Sequence, residues 1–424
     1  MRMTVLYPEV KAQISQFAGG LMPVRLGDDE QLSLVVKTQK EAILAAQMHG
    51  LFAFYLPALP SSSCTTTSLI SAFFDDDDEP LTIRTPLFGD DAFSQDIIEI
   101  LKYDEVSVYF FDEHNYEWMS FRTALEDNGS CLIGGEDIYL LGYHPETVKC
   151  VHTVLKDWFG ARTTEDDERA IQAIFKESLS PSDLFVLDVT PEMNGYQGGA
   201  GFRHDTLKRT DPGYHQERDI SACLSRAFEP GQIMMNPRRK DNHKEILDHL
   251  VLTEELAILV QAKDSPTTEA GITRTLQRKR LATHSQIDAA IRQINGAARY
   301  LEREGVAKLV VAGQDTDVDL SKRRVIGLAI VKELFDDEGT AYAAACAKMA
   351  GLSGGGIVMD YNSFHAFTHR FASCDAFVQT LDKLIAHVRT HGWIRVKDEV
   401  FDGVLDWVES MRAGRAAESD HPDK

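Results

Sequence analysis

Asp248, Gln261 and Lys263 are residues of this chain whose types and spacing can do chemistry together. They belong to Glu245 to Ser265, EILDHLVLTEELAILVQAKDS, in which two apolar runs, Ile246 to Leu252 and Leu256 to Val260, flank the polar pair Glu254-Glu255. Apolar runs of this length bounded by polar residues predict strands covered on both faces. A two-residue turn at Glu254-Glu255 pairs Thr253 with Leu256, so that paired residue numbers sum to 509 and Asp248 stands opposite Gln261. Directly opposed residues have Cβ atoms roughly 4.5–5.5 Å apart, and a diagonal neighbour such as Lys263 lies at about 7–8 Å. Alternation puts Gln261 and Lys263 on one side of their strand. An acid, an amide oxygen donor and a cation are thus predicted to converge at the polar ends of two apolar strands.

Elements on either side must position that hairpin. Upstream, HQERDISACLSRAF carries Ile220, Cys223, Leu224, Ala227 and Phe228 at spacings of three and four, a helical stripe. Glu217 falls three residues before Ile220, on the same face in the helix's first turn, and Glu245 falls three residues before Asp248. Downstream, HSQIDAAIRQINGAARYLERE repeats Ile287, Ile291, Ile294, Ala298 and Leu301 at helical spacing. Lys308 to Ala312 and Val325 to Val331 then read as strands, which gives the order helix, strand, strand, helix, strand, strand.

With these residues the segment resembles the PD-(D/E)XK, restriction-endonuclease-like nuclease superfamily, over about 120 residues from Tyr214 to Phe335. In that superfamily an aspartate ending one strand and an acid-x-lysine on the next bind a divalent ion and activate water to cut a phosphodiester. Asp248 matches the first acid and Lys263 the lysine. Gln261 stands where Glu or Asp is commoner, as in the Mrr-like branch, and lowers the charge of the site. Many members place a further metal-binding Glu in the preceding helix; Glu217 looks like it, and Glu245 is the second candidate. The resemblance implies Mg²⁺, or Mn²⁺, because a hard cation prefers oxygen ligands. It also implies that Asp248, Glu217 or Glu245, and the Gln261 oxygen ligate the ion while Lys263 stabilises developing charge or orients the nucleophile.

Charge is unevenly divided. Residues 1–200 hold 33 acidic against 13 basic side chains and residues 201–424 hold 33 against 31, so the formal net charge of −22 belongs to the N-terminal half. A uniformly acidic protein repels nucleic acid, but binding depends on local phosphate contacts. Arg238, Arg239, Lys240 and Lys244 precede the hairpin, and Arg274, Arg278, Lys279 and Arg280 follow it; they line a phosphate track or form a solvated loop and helix face. A nucleic-acid partner is expected, DNA ahead of RNA, with a homo-oligomer or a defence-system protein as a further partner.

At 424 residues, with 43% hydrophobic and 26% charged residues, the chain can bury large cores in two or three domains. It has no run of 18 apolar residues, and MRMTVLYPEVKAQ lacks a signal-peptide core, so no membrane association and a cytoplasmic location are expected. Cys64, Cys131, Cys150, Cys223, Cys346 and Cys374 show no CxxC spacing and read as reduced thiols.

Along the N-terminal part, Lys37 to Tyr55 reads as a helical stretch, Asp75 to Glu79 as a solvated turn, and EPLTIRTPLF, Phe93 to Leu101 and VSVYFF give a strand, helix, strand pattern. DEHNYEW, with Asp112, Glu113, His114 and Glu117, looks like a site or, more simply, loop and capping chemistry. Helices are predicted around Glu146 to Phe159 and Asp166 to Glu177, a strand at Leu184 to Val189, and a linker at Asn194 to Gly213 whose glycines lack the GK[ST] of a P-loop. Gly351-Leu352-Ser353-Gly354-Gly355 matches G-x-S-x-G but follows a helical pattern and precedes a strand, the reverse of a nucleophile elbow. His365/His369 and His387/His391 are each four apart without the glutamate of HExxH. Phe377 to Val388 is an amphipathic helix and Ala413 onward a frayed tail.

The fold expected is α/β: an accessory or sensing α/β module over residues 1–200, a restriction-endonuclease-like domain over 214–412 with its core at 214–335, and a tail at 413–424. The function expected is a metal-dependent nuclease, in restriction or antiviral defence. The alternative is a catalytically silent scaffold or nucleic-acid-binding module of the same fold, since fold alone does not fix function.

Overall fold

The computed structural model describes residues 2–27, 31–59, 62–66, 68–127, 139–144, 147–148, 151, 155, 158–181 and 185–393. The architecture is mixed α/β, and the chain forms two compact units. The first comprises residues 1–186, 206–210 and 266–276, and the second 187–205, 211–265 and 277–424. Most of the predicted helix at 146–159, the tail at 413–424 and the preceding stretch from 394 lie outside the described residues.

The first unit is built on an eight-stranded sheet in the order Gly20–Leu26, Gln31–Lys37, Glu105–Phe111, Glu117–Asp127, Ile171–Ser178, Leu51–Tyr55, Ser68–Phe73, Leu81–Pro86. Gln31–Lys37 and Glu105–Phe111 run parallel, and every other neighbouring pair is antiparallel. The two outer strands approach each other, so the sheet curls around a core of Phe52, Phe54, Phe73, Phe110 and Trp118. The stretch 37–55, expected as helix throughout, is helical only over Lys40–His49; Gly50 with φ +68° is a left-handed stop, and Leu51–Tyr55 is a strand. The helix expected at 166–177 is instead a short helix Thr164–Glu168, closed by a Thr163/Asp166 capping box, followed by the strand Ile171–Ser178. Buried Ile171 and Ala173 alternate with less buried neighbours, and two flanking strands pair with them.

The second unit holds a five-stranded sheet in the order Ile233–Met235, His249–Leu252, Leu256–Lys263, Arg324–Val331, Gly355–Asp360. The first three strands are antiparallel and the last three parallel. Leu256–Lys263 is central and buried along most of its length, as its unbroken apolar run predicts. Its parallel neighbour is reached after the helix Leu276–Glu304, the long crossover that a parallel pair requires. Ile287, Ile291, Ile294, Ala298 and Leu301 all face the core. Packing there is close: a Cβ on Gly327 would lie 2.9 Å from Ile294 Cγ2 and 2.8 Å from Met349 Sδ. The helix Pro212–Leu224 buries Ile220, Cys223 and Leu224, with Ala227 and Phe228 following it into the core.

Two strands differ from expectation in partnership. Lys308 to Ala312 forms a strand, Val306–Val311, but in a separate sheet between Arg238–Arg239 and Gln314–Asp319. The far strand of the main sheet, Gly355–Asp360, lies beyond Phe335. The stretch 194–213, expected as a linker, contains the strand Arg203–Thr206 and a buried Arg203 that pairs with Asp219 at 2.8 Å and Asp188 at 3.4 Å. Ser353 lies between the helix Gly339–Ala347 and the Gly355–Asp360 strand, and its Oγ accepts from the Val325 N–H at 2.8 Å, which leaves it no nucleophile-elbow geometry.

Candidate functional site

The hairpin has the register its turn implies. His249 pairs with Val260, Leu250 with Leu259, Val251 with Ile258 and Leu252 with Ala257, each pair summing to 509. One step further, Asp248 stands opposite Gln261, and Asp248 Oδ2 accepts from the next amide, Ala262 N–H, at 2.7 Å. On the other side Met235 pairs with His249, and Asn236 N–H donates to the Asp248 carbonyl at 2.8 Å. Asn236, Asp248 and Gln261 are therefore neighbours at one end of three adjacent strands, with Asn236 just after Ile233–Met235 and Asp248 just before His249–Leu252. They lie at the end of the sheet where the three parallel strands Leu256–Lys263, Arg324–Val331 and Gly355–Asp360 finish, the end at which open α/β sheets bind ligands.

Glu217 enters from the helix Pro212–Leu224, which packs against the first and third strands of the sheet. Asn236 Nδ2 donates to Glu217 Oε2 at 2.9 Å. Beneath it, His249 Nε2 lies 2.8 Å from the Glu217 carbonyl and 2.8 Å from Ser221 Oγ. The carbonyl only accepts, so Nε2 carries the proton. Complete burial holds His249 down to about 4 despite that carbonyl, which keeps the ring neutral at ordinary pH.

The acids are electrostatically joined. Burial first, then the Asp248 and Glu245 charges, push Glu217 up to about 7, against the Asn236 hydrogen bond and the Lys263 charge. Burial raises Asp248, opposed by the Ala262 amide, Lys263 and the nearby Gln261 amide. Glu245 is open to solvent on one side, yet desolvation and Asp248 raise it while Arg238 and Lys263 oppose the rise. The ammonium of half-buried Lys263 thus acts on all three carboxyls, so the predicted acid and cation partners do share one locus.

Gln261 is fully buried; its amide faces Asp248 and favours the charged carboxylate, yet neither Oε1 nor Nε2 makes a hydrogen bond of regular geometry among the described residues. Asn236 Oδ1 is likewise buried without one. An unsatisfied buried amide costs about 1–3 kcal/mol, so two at one strand end favour a bound polar group. Crowded acids with raised pKa values and spare amide oxygens suit a hard cation. Among the described residues Glu217, Glu245 and Asp248 do not all bring ligand atoms within 4.8 Å of one another.

The basic residues do not form one free stripe. Arg238 and Lys244 are exposed near the hairpin, and Arg238 bridges to Glu245 through the backbone. Arg239 lies 3.9 Å over the Tyr300 ring, and Lys240 pairs with Asp315. Arg278 is exposed, Lys279 is buried, and Arg280 is bound by Asp337 and Glu338 and lies over Phe335. Arg274 is exposed in the segment belonging to the first unit.

In DEHNYEW, Asp112 accepts from the backbone of His114 and Tyr116 and from Trp118 Nε1, and pairs with Lys40, while Glu117 accepts from Met3 N–H at 2.8 Å. His365 is buried against Arg226, and His387 and His391 stack on one helix. Cys223, Cys346 and Cys374 are free thiols, and Cys131 and Cys150 lie outside the described residues. Among the described residues no helix is long and apolar enough to cross a membrane.

Sequence reasoning missed Asn236 and His249. Asn236 lies in MMNPRR, with no acid-x-lysine spacing to draw attention, and its place depends on pairing between segments distant in sequence. His249 had a signal in being a polar residue inside an apolar strand, next to Asp248. No protein-family model, curated protein or solved structure matches this chain.

Proposed function

We propose that the second unit is a metal-dependent nuclease of the restriction-endonuclease-like PD-(D/E)XK kind, in its Mrr-like glutamine form, that hydrolyses phosphodiester bonds of nucleic acid, DNA ahead of RNA. The observation that carries this reading is that Asn236 ties Glu217 to Asp248, whose Oδ2 accepts from Ala262 N–H between Gln261 and Lys263, so that two acids, a fully buried amide and a lysine meet at one strand end. It is supported by the site's elements: a helix bearing the extra glutamate, two adjacent strands bearing the acid and the glutamine-x-lysine, and a long helix after them. Bound Mg²⁺ or Mn²⁺ supplies Lewis acidity toward a phosphate and a more acidic water. Asp248 and Glu217 are the carboxylates to hold it, with Glu245 at the open rim, and Gln261 contributes its carbonyl oxygen. Lys263 places positive charge where negative charge grows in the transition state. Within the second unit, Arg238, Lys244 and Arg278 are the exposed cations of the predicted set for phosphate contacts. The eight-stranded unit serves as the accessory or sensing module. A role in restriction or antiviral defence, with a second copy or a defence-system partner, rests on the resemblance alone.

A second reading, a silent nucleic-acid-binding scaffold, is favoured by two observations: a neutral amide stands at the position of the second acid, and Glu217 is half protonated near pH 7. Purified protein incubated with Mg²⁺ or Mn²⁺ and single- and double-stranded DNA and RNA separates the two. Cleavage that disappears in Asp248→Ala supports the nuclease. Binding without cleavage, indifferent to Asp248→Ala, gives the molecule to the scaffold reading.

A further inference from the structure

We infer that Asn236 is a positioning residue of this site, holding the Glu217 carboxylate and the Asp248 strand end so that both acids face one cation locus. The inference rests on the metal-site reading above. Three observations on one residue carry it. Asn236 adopts φ +50°, a left-handed conformation that asparagine tolerates and most side chains do not. Its backbone N–H donates to the Asp248 carbonyl at 2.8 Å, and its Nδ2 donates to Glu217 Oε2 at 2.9 Å. Its Oδ1, the other end of the same amide, is buried with no partner among the described residues.

The geometry separates the two roles of the residue. Glycine would suffice for the backbone alone, because it accepts positive φ freely. The carboxamide is therefore what joins the helix to the sheet: Glu217 arrives on the helix Pro212–Leu224, whereas Asp248 immediately precedes the strand His249–Leu252 and Gln261 lies on Leu256–Lys263. With Nδ2 engaged by Glu217, Oδ1 is left buried without a partner among the described residues, on the residue whose N–H binds the Asp248 carbonyl. A carboxylate that is not held must be ordered by the cation, and that ordering lowers affinity. A hydrogen bond to a charged group, once lost, corresponds to roughly a tenfold change in an equilibrium constant.

Mn²⁺ binding to the full chain, followed by electron paramagnetic resonance, tests this with Asn236→Gly, Glu217→Gln and the double variant. Asn236→Gly keeps the backbone conformation and is expected to weaken Mn²⁺ binding about tenfold, from the lost hydrogen bond. In the Glu217→Gln background the same change should have little further effect, because Asn236 acts through Glu217. Wild-type affinity in Asn236→Gly, or full additivity in the double variant, overturns the inference. If the wild-type protein binds no Mn²⁺, the metal reading fails by itself, and the same cycle is read from urea unfolding. Coupling of roughly tenfold between the two positions there keeps the positioning role, and independence ends it.

Discussion

Gln261 is the residue at which the candidate site departs most from a simple carboxylate cluster. Its amide is fully buried and makes no hydrogen bond of regular geometry among the described residues, one strand away from a buried Asp248. Gln261→Glu adds a charged ligand and is expected to tighten Mn²⁺ binding by at least tenfold, measured by titration calorimetry. The same substitution without metal adds a buried carboxylate among raised acids, so apo-protein stability should fall by about 1–3 kcal/mol in urea. Lys263→Ala is expected to retain the ion while slowing cleavage by about 10²–10³-fold, because its charge acts on the transition state. A comparable loss of ion binding in Lys263→Ala would show that the lysine instead holds the acids together. Glu217 adds a pH signature. A ligand carboxylate must be deprotonated, and this one is pushed up to about 7, so metal affinity should rise as pH goes from 6 to 8 and fall on acidification. Glu217→Gln should remove that dependence. Asp248, Gln261 and Lys263 were legible in the sequence because a two-residue turn fixes register arithmetically. Asn236 was not, because its partners are Asp248 and Glu217, set by the fold rather than by local spacing.

At the scale of elements, the contact between the helix Pro212–Leu224 and the hairpin depends on His249. The neutral ring donates to the Glu217 carbonyl within an apolar layer, and burial lowers its pKa to about 4 from the ordinary 6.5. A depressed folded-state pKa gives stability that is complete above about 6.5 and is lost as pH falls toward 4, when the unfolded chain takes up the proton first. Glu217 acts in the opposite sense. Its raised pKa favours the folded state below about 4.5, and that contribution is lost as pH rises through about 7. The two nearly oppose each other between pH 4.5 and 6.5, so wild-type stability should vary little there. His249→Gln keeps an N–H donor and cannot titrate. It should expose the Glu217 trend, with stability decreasing from pH 5 to 7 by about 1–2 kcal/mol in urea unfolding, allowing for partial solvent screening. A flat profile in that variant would mean that Glu217 is not perturbed. Elements with an unbroken period were readable: the stripe from Ile287 to Leu301 and the run from Leu256 to Val260 lie where their patterns put them. Ile171–Ser178 was misread as helix because acidic TEDDE precedes it, and only pairing on both sides selects the strand. Val306–Val311 was readable as a strand, but its sheet was not, since that depends on Arg238–Arg239 far back in the chain.

At the scale of the molecule, the two units are interleaved in sequence: the chain passes from one to the other after residues 186, 205, 210, 265 and 276. A composition shift at a Gly-rich stretch suggests one linker, yet residues 187–205 contribute to the second unit. Arg203, 2% exposed, pairs there with Asp219 on the helix that carries Glu217. Glycines and polar residues in local sequence give no hint that one arginine among them is fully enclosed. This predicts how fragments behave. One beginning at Tyr214 lacks both Arg203 and Asp188 and leaves Asp219 buried without its arginine, a loss of about 3–5 kcal/mol for a broken buried pair. One beginning at Leu187 keeps the pair. Urea unfolding of the two fragments, each extending to Lys424, should show the longer to be more stable by that order, with the helix Pro212–Leu224 less protected from hydrogen exchange in the shorter. Full-length Arg203→Ala should move protection of the same helix in the same direction while leaving the eight-stranded unit unchanged. Equal stability of the two fragments would mean that residues 187–205 are dispensable to the unit that holds the candidate site, and that the enclosed arginine contributes nothing to holding Glu217 in place.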